Sequence, residues 1–330
     1  MKAHVTIADV AREAGVSAQT VSRVVNGKGE ISPATRQIVM EVIERLGYRP
    51  SAIARSLATN RTSTLGLVVP DIANPFFPEI VRGAEDTARQ RGYTIFVCNT
   101  GENPEQEAAV LRLLEERRID GVVVCSSRLP DERLHALLAH HPAAVLVNRP
   151  APAAVAGAVR IDDAAGTRLA VQHLLGSGRR AIGMLAGPPG SYSAQERRRS
   201  FESALAAADL ADAPVLPCAP NLAGGVESAK ALLAARPTLD GLLCYNDLVA
   251  IGALQACAAL GRRVPEDVMV IGYDDNILAA LVTPALTTLR IDKYQLGTAA
   301  INMLFDRMEG RVSSEHVMLP LELVVRASAP

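Results

Sequence analysis

The sequence contains no tryptophan, and only 3% of its 330 residues are aromatic. It also has no apolar run long enough to cross a bilayer. Its first 26 residues alternate polar and apolar side chains, without the apolar core of a signal peptide. These absences argue against a membrane protein and against a secreted one, so we expect a cytoplasmic location.

Cysteine and histidine are too sparse for a metal site or a disulfide framework. The five cysteines are an odd number without a CxxC pair, and the six histidines are scattered. The patterns GxxxxGK[ST], GxSxG and HExxH, typical of nucleotide-binding proteins, serine hydrolases and metalloproteases, are all missing. We therefore expect no metal, no cofactor and no enzymatic activity.

The composition that remains is that of a globular protein with an uneven charge distribution. Hydrophobic residues make up 49% and charged residues 21%, and the length allows two or three domains. Residues 1–61 hold nine Lys/Arg and five Asp/Glu, a charge of +4, so the other 269 residues carry −5. This distribution favours a small basic segment that alone contacts a polyanion, although +4 is also within ordinary variation.

The first 49 residues carry the signals of three short helices. Thr6, Ser17 and Ser32 are N-cap residues, and a glycine follows each predicted helix as a stop signal. The apolar residues expected on the inner faces of these helices are Ile7, Val10, Ala11, Ala14, Val21, Val24, Val25, Ile38, Val42 and Leu46.

Two helices joined by a short glycine-containing turn, with a third helix as support, are typical of a helix-turn-helix unit. Gln19 and Arg23 of the second helix have the hydrogen-bonding geometry to read base edges in a major groove. Ser17 and Thr20 are short polar groups suited to phosphate oxygens. The alternative is a small helical bundle with a solvated polar face.

Two stretches, VTIADVAREAGVSAQTVSRVVNG and RPSAIARSLATNRT, together resemble the N-terminus of the LacI/GalR family of bacterial transcription regulators. The resemblance implies a helix-turn-helix DNA-binding domain at 1–49 and a hinge helix with linker at 50–61. In that family the hinge helix enters the minor groove, which would make Leu57 an apolar wedge; the alternative is a leucine packed on the body. The DNA-binding residues that the resemblance and the helix pattern predict are Thr6, Ile7, Ser17, Ala18, Gln19, Thr20, Ser22, Arg23, Asn26, Tyr48, Ser51, Ala54, Leu57 and Ala58.

From residue 65 onward, short apolar runs alternate with amphipathic helical stretches. LGLVV, TIFVC, GVVVC and AAVLVN, and then AIGMLA, GLLCY, VMVIGY and TTLRI, are predicted to be buried parallel strands. Two such series predict two doubly wound α/β lobes whose strands end at a shared cleft. Polar residues suited to bind a ligand, among them Asp71, Asn148 and Asp274, follow the strand ends.

The segments PDIANPFFPEIVRGAE, GPPGSYSAQERRRSF, YNDLVAIGAL and VPEDVMVIGYDDN resemble the periplasmic-binding-protein-like effector domains of the same family. The fold class predicted for the whole chain is therefore an all-α helix-turn-helix head plus an α/β body with two parallel-sheet lobes. The resemblance implies an effector-binding and dimerisation domain over 62–330. Lobe one would comprise about 62–161 and 292–320, and lobe two about 162–291 and 321–330.

The family's effector site carries over onto matching positions of this chain. Arg197 would clamp vicinal hydroxyls or a carboxylate of the ligand, although a surface salt bridge is the alternative. Asp274 would accept hydrogen bonds from ligand hydroxyls, unless Asp275 does so instead. Phe76 and Phe77 would supply an aromatic wall or belong to the core. The predicted effector-binding residues are Asp71, Asn74, Phe76, Phe77, Cys125, Asn148, Ser193, Arg197, Asn246 and Asp274.

The sequence thus predicts a repressor that binds a palindromic operator as a dimer and responds to a small-molecule effector. A dimer is expected because no heptad pattern follows the strand LPLELVVR. A sugar or sugar derivative is the expected effector class, although the chain lacks the tryptophan of some sugar-binding members and has Ile291 where a polar contact is frequent. A nucleoside or purine, an acidic metabolite and control by a phosphorylated carrier protein are the alternatives.

Overall fold

A computed structural model of the protein describes residues 5–27, 29–49, 61–210, 212–311 and 316–330, with Asn26 described through its backbone alone. The chain divides into two compact units, Met1–Thr62 and Ser63–Pro330. None of the helices in the described part of the chain combines the length and apolarity that a bilayer crossing requires.

The first unit contains three described helices, α1 (Ile7–Ala14), α2 (Ala18–Asn26) and α3 (Pro33–Leu46). The hydroxyls of Thr6, Ser17 and Ser32 each accept a hydrogen bond from a backbone N–H of the first turn. A left-handed glycine ends each helix, because a residue without a Cβ adopts that conformation at little cost. The cap and stop residues of the sequence therefore act as predicted.

A small core of valines holds these three helices together. Val10, Val21 and Val39 are fully buried, and Val24 and Val42 nearly so. The prediction that Ile38 packs inward is wrong, since 49% of its surface is exposed. The inward-facing residues of α3 lie at positions 39, 42 and 46. Position 38 is rotated by about 100° around the helix axis from position 39, so its side chain lies off this inner face.

The second unit contains two six-stranded sheets, each with helices packed against it. The first sheet has the strand order β11-β5-β4-β3-β1-β2, and the second has the order β12-β10-β9-β8-β6-β7. The strand pairs are parallel except for the antiparallel pair β10–β12. The strands are β1 (Thr64–Val69), β2 (Thr94–Asn99), β3 (Gly121–Cys125), β4 (Ala144–Val147), β5 (Gly157–Ile161), β6 (Ile182–Ala186), β7 (Val215–Pro217), β8 (Gly241–Cys244), β9 (Met269–Asp274), β10 (Thr287–Ile291), β11 (His316–Leu319) and β12 (Leu321–Val324).

The helices of this unit connect the parallel strands, as the alternation of apolar runs and amphipathic stretches predicts. They are α4 (Phe76–Gln90), α5 (Pro104–Glu116), α6 (Asp131–Leu138), α7 (Asp163–Gly176), α8 (Tyr192–Ala206), α9 (Leu222–Ala235), α10 (Asp247–Ala259) and α11 (Lys293–Met308). The chain passes between the sheets three times, near positions 162, 292 and 320. We call the first sheet with its helices the first lobe, and the second sheet with its helices the second lobe.

Most predicted strands are buried on both faces, but β2 is not. Of its six residues only Ile95 is buried, while Phe96 and Val97 are 51% and 39% exposed. The prediction of a buried strand at TIFVC is wrong because β2 is the outermost strand of its sheet. Three strands that the apolar runs did not reveal, β5, β7 and β11, complete the two sheets.

Candidate functional site

The exposed face of α2 carries the polar side chains that the sequence assigns to base reading. Ala18, Gln19 and Arg23 are exposed, and Ser22 is half-buried, while Val21 and Val24 of the same helix lie in the core. The Ser17 hydroxyl accepts from the backbone N–H of Thr20 at 3.0 Å and so fixes the start of this helix.

The remaining predicted DNA contacts fall into three groups. Thr6 is exposed and forms a capping box with Asp9, while Ile7, Thr20 and Tyr48 are half-buried around the head core. The side chain of Asn26 lies outside the described part of the structure. The predicted hinge contacts also lie outside the described residues, and they are Ser51, Ala54, Leu57 and Ala58.

A narrow cavity of about 20 Å³ lies between the two lobes, where parallel strands of both sheets end. The fold brings eight of the ten predicted effector-binding residues to its wall. They are Asn74, Phe76, Phe77, Asn148, Ser193, Arg197, Asn246 and Asp274. A larger hollow beside Arg180 and Asp212, at the amino ends of the second sheet's strands, contains none of them.

Two predicted residues lie outside this wall. The Asp71 carboxylate accepts a hydrogen bond from the backbone N–H of Ala73 at 3.0 Å, within its own loop. The Cys125 side chain is buried in the core of the first lobe, where burial raises the pKa of its thiol to about 12. Neither side chain is among those that line the cavity.

Arg197 forms the centre of the second lobe's wall, and only 4% of its surface is exposed. Its Nε donates to Asp163 Oδ1 at 2.7 Å and its Nη1 to the Tyr245 carbonyl at 2.5 Å. The guanidinium carbon lies 3.4 Å from the centre of the Tyr273 ring. Burial opposes the charged form, but Asp163 and the two tyrosines raise the pKa of Arg197 overall.

Asp274 ends β9 with a left-handed backbone, φ 112°, and its side chain faces the cavity. Burial raises the pKa of its carboxyl well above the usual range. Asp275, the alternative contact, instead holds Arg290 and Arg326 through its two carboxylate oxygens, each at 2.6 Å. The geometry therefore directs Asp274, and not its neighbour, toward the cavity.

Two polar side chains on opposite walls have atoms that no described residue satisfies. They are the Asn148 Oδ1 of the first lobe and the Ser193 Oγ of the second, both buried. Buried polar atoms are nearly always hydrogen-bonded, so a water molecule or a ligand in the cavity can complete these two atoms. By contrast, the Asn246 amide caps α10 by accepting from Val249 N and donates to the Pro220 carbonyl.

The sequence reasoning missed five residues that line the cavity, among them Pro220 and Tyr245 of the second lobe. The other three belong to the first lobe and are Glu102, Ser126 and Arg128. They lie in the loops that follow β2 and β3, where the apolar pattern stops. The signal was available, since polar residues directly after buried parallel strands mark this edge of a sheet. Tyr245 also lines the wall, and its hydroxyl lies 3.0 Å from Ser191 Oγ.

The model of bacterial regulatory proteins of the lacI family matches residues 6–51, and that of the periplasmic binding protein-like domain matches 171–329. The ribose operon repressor of Halalkalibacterium halodurans is 36% identical over 325 residues, covering 97% of this chain and 96% of that protein. The HTH-type transcriptional repressor PurR of Haemophilus influenzae is 35% identical over 329 residues, covering 98% of each.

A solved structure of the Lac repressor dimer bound to operator and the anti-inducer ONPF has a TM-score of 0.90 and 28% identity, covering 99% of both chains. The chain belongs to the LacI family. This confirms the family and the fold class that the sequence predicts. The LacI-family chain is a DNA-binding transcriptional repressor with a helix-turn-helix head and a periplasmic-binding-protein-like body.

The cavity of this LacI-family protein is polar but contains no described metal site. Among the described residues, no group of three or more His, Cys, Asp or Glu side chains is arranged to hold a metal ion. The groups that line the wall include two arginines, carboxylates, amides, two serine hydroxyls, a tyrosine and the paired rings of Phe76 and Phe77, 5.2 Å apart. Such a set can bind a small molecule that has both hydroxyls and an apolar face.

Proposed function

We propose that this repressor binds a small neutral polyol, a sugar or sugar derivative, between its lobes and changes its operator affinity in response. The observation that carries the proposal is the pair of unsatisfied buried atoms, Asn148 Oδ1 and Ser193 Oγ, on facing walls of one cavity. A ligand with hydroxyls at both ends satisfies both atoms. It thereby favours one arrangement of the lobes.

The charge of the wall supports a neutral effector. Arg197 is paired with Asp163, and Arg128 is paired with Glu102. An ion that enters such a wall gains no unpaired counter-charge and loses its hydration. The name of the ribose operon repressor, one of the similar proteins, agrees with a sugar as effector class.

We propose that two heads bind the two half-sites of a pseudo-palindromic operator. Gln19 and Arg23 would contact base edges, while Ser17, Thr20 and Tyr48 would contact phosphates. The hinge at 50–61, with Leu57 in the minor groove, stays a proposal because those residues lie outside the described structure. The division of the chain into 1–49, 50–61 and 62–330 and the cytoplasmic location are likewise proposals.

Exposed apolar side chains support a homodimer. Ile277 and Leu281, just after β9, are 71% and 72% exposed, and Phe96 and Val97 are exposed on the edge strand β2. Exposed apolar groups of this size in a folded unit favour burial against a partner. A symmetric dimer would also match the symmetry of a palindromic site.

A nucleobase is the second candidate effector. The rings of Phe76 and Phe77 meet edge to face on the first lobe's wall, and a planar base can pack against such an aromatic surface. A base would leave fewer hydroxyl contacts for Asn148 and Ser193 than a polyol does.

The test is a thermal-shift and calorimetry screen of the full chain with aldoses, polyols, sugar acids, nucleosides and free bases. We expect a neutral sugar or polyol to bind and to change the affinity for a palindromic fragment by about 5- to 150-fold, as typical allosteric coupling allows. Operator binding should weaken steeply with salt. A chain that prefers no duplex over random competitor, or binds bases but no polyol, contradicts the proposal.

A further inference from the structure

Two loops of the first lobe bring an ion pair to the wall of the effector cavity. Neither residue of this pair is among the predicted effector-binding residues. Glu102 follows β2, and Arg128 follows β3. Arg128 Nε and Nη2 donate to the two carboxylate oxygens of Glu102 at 2.5 and 3.0 Å, a bidentate geometry. The Arg128 side chain is 5% exposed and that of Glu102 is 25% exposed.

The backbone on both sides of the pair is held in uncommon conformations. Glu102 and Ser126 are left-handed, with φ of 61° and 47°, a conformation that costs a residue with a Cβ about 1–3 kcal/mol. Hydrogen bonds compensate for this strain: Glu102 N–H donates to the Pro70 carbonyl at 2.9 Å, and Arg128 N–H donates to the buried Glu107 carboxylate at 2.8 Å. Strain maintained by several contacts is typical of residues placed to bind a ligand.

The pair offers donors and acceptors to the cavity without net charge. Besides Glu102, the Arg128 guanidinium donates to the Ser126 carbonyl at 2.7 Å, which uses three of its five N–H groups. Both Glu102 oxygens keep further lone pairs. A ligand hydroxyl can donate and accept at such a pair, whereas a carboxylate can only accept. Carboxylates and phosphates also meet Glu102 as a like charge.

Arg128 also separates the effector cavity from a second hollow. That hollow is lined by Arg128 itself together with Arg149, Tyr192 and Gln195, and none of these last three lines the effector cavity. Arg128 therefore lies where the two hollows meet, and its ion pair with Glu102 holds its guanidinium in place.

We propose that the Glu102–Arg128 pair is a specificity determinant of the effector site, which selects a neutral polyol over the corresponding sugar acid. The inference rests on the proposed function, because it assigns a selective role to the wall that contacts the effector. Without the Glu102 charge, Arg128 loses its ion-pair partner at the cavity and keeps only the buried Glu107 carboxylate nearby, so the wall becomes more positive. The preference then moves toward anions.

The test compares Glu102→Gln with the wild-type chain. Glutamine keeps the size and one acceptor of Glu102 but removes its charge. The matched control is Glu105→Gln, which removes the charge from an exposed bidentate pair with Arg133 that does not line the cavity. The probes are D-ribose, D-xylose, D-glucose and D-galactose with their aldonates, and inorganic phosphate, measured by calorimetry and thermal shift.

We expect Glu102→Gln to move the ratio of the aldonate Kd to the aldose Kd by roughly ten- to a hundredfold in favour of the aldonate, as a charge-assisted contact allows. Glu105→Gln should leave the ratio within about twofold. Unliganded operator binding reports that the variants fold. An unchanged ratio in Glu102→Gln overturns the inference while the neutral sugar or polyol effector stands. A wild-type chain that prefers the aldonate overturns both the inference and the neutral effector.

Failure of the proposed function has a different signature. If no neutral probe binds the wild-type chain or alters its operator affinity, the polyol effector is rejected. In that case, the thermal shift of Glu102→Gln with phosphate and aldonates still tests the selective role of the Glu102–Arg128 pair. Anion-dependent stabilisation of Glu102→Gln alone supports the selective role of Glu102, and equal responses of all three chains overturn it.

Discussion

Ser193 and Arg197 lie about one helical turn apart in α8, and the protein uses their polar atoms in opposite ways. The Ser193 hydroxyl has no partner among the described residues, whereas Arg197 donates to Asp163 and to the Tyr245 carbonyl. A residue with free polar atoms contributes to binding and little to stability. A residue that bridges buried groups contributes to both.

Ser193→Ala is therefore expected to separate effector binding from stability. Loss of the hydroxyl should weaken effector binding by about 0.5–1.5 kcal/mol, because one ligand hydrogen bond is lost. The free energy of unfolding should change by less than about 0.5 kcal/mol, because no hydrogen bond within the described protein is broken. Calorimetry and denaturant unfolding measure the two quantities. A loss of stability without a loss of affinity would contradict a ligand contact at this hydroxyl.

Arg197→Ala should instead reduce the free energy of unfolding by about 3–5 kcal/mol, because Asp163 keeps a buried, unpaired charge. Arg198→Ala, at the next position, is the matched control. Arg198 pairs with Glu202 on the surface, so its loss should cost less than about 0.5 kcal/mol. Denaturant unfolding of the two variants tests this difference. Similar costs for both variants would show that the Arg197–Asp163 pair is not structural.

At the scale of elements, the turn after β9 is held by the start of α10. Asp247 is fully buried; its Oδ1 accepts from Thr288 Oγ1 at 2.5 Å and its Oδ2 from the backbone N–H of Asn276 at 2.7 Å. Lys293, at the start of α11, donates to the carbonyls of Asp274 and Asp275 at 2.7 and 3.1 Å. These contacts fix the left-handed backbone that directs Asp274 into the cavity.

Asp247→Asn provides a pH test of this arrangement. Burial raises the pKa of Asp247 to about 7, although its two hydrogen bonds act to lower it. Between about pH 7 and pH 4 the folded chain therefore binds a proton that the unfolded chain does not. The free energy of unfolding of the wild type should rise relative to Asp247→Asn as the pH falls through this window, by at most about 1.4 kcal/mol per pH unit.

Guanidinium titrations of both chains at about pH 7.5, 6.5 and 5.5 measure this difference, over the window in which the linkage acts. The relative gain of the wild type should be complete only below the ordinary pKa of 3.8. A stability difference that stays constant over the series would show that Asp247 is charged in the folded protein at all three values.

Helices α4 and α11 approach so closely that glycine is required at the contact. A Cβ on Gly297 would lie 2.0 Å from the Ile80 carbonyl oxygen, and one on Gly83 would lie 2.1 Å from that of Tyr294. Gly297→Ala should therefore reduce the free energy of unfolding by about 1–3 kcal/mol, because the helices must separate.

The matched control is Gly176→Ala, at the end of α7, where a Cβ meets no atom within 4 Å. This change should be neutral or slightly stabilising, since alanine favours helix more than glycine does. Thermal unfolding of both variants is the measurement. Equal effects at the two sites would mean that the helices can separate at no cost.

At the scale of the whole molecule, the exposed apolar side chains concern assembly. Leu281→Lys should shift the full chain from dimer toward monomer in analytical ultracentrifugation and weaken operator binding, because a charge would be buried in the proposed interface. Leu169→Lys is the control. Leu169 is 40% exposed, and it lies on α7, which is not part of the segment after β9. A dimer that persists in Leu281→Lys, or dissociates equally in both variants, would place the interface elsewhere.

Much of this protein could be predicted from local patterns. The head helices begin and end at the cap and glycine residues of the sequence, because a cap acts within one turn of its own helix. The predicted apolar runs form strands, because a strand buried on both faces needs a continuous apolar stretch. Short or half-exposed strands such as β7 and β11 lack that signal, so only the pairing with neighbouring strands in the structure reveals them.

The sequence by itself determined the ends of the head helices, the strands with continuous apolar runs and the polar residues that follow them, since each depends on neighbours a few positions away. Only the tertiary structure decided which of those residues share a wall. Cys125 turned into the core while Arg128, three positions later, reached the cavity and met Glu102, 26 positions earlier in the chain. The pairing of distant loops depends on sheet order and backbone conformation, neither of which a local pattern encodes.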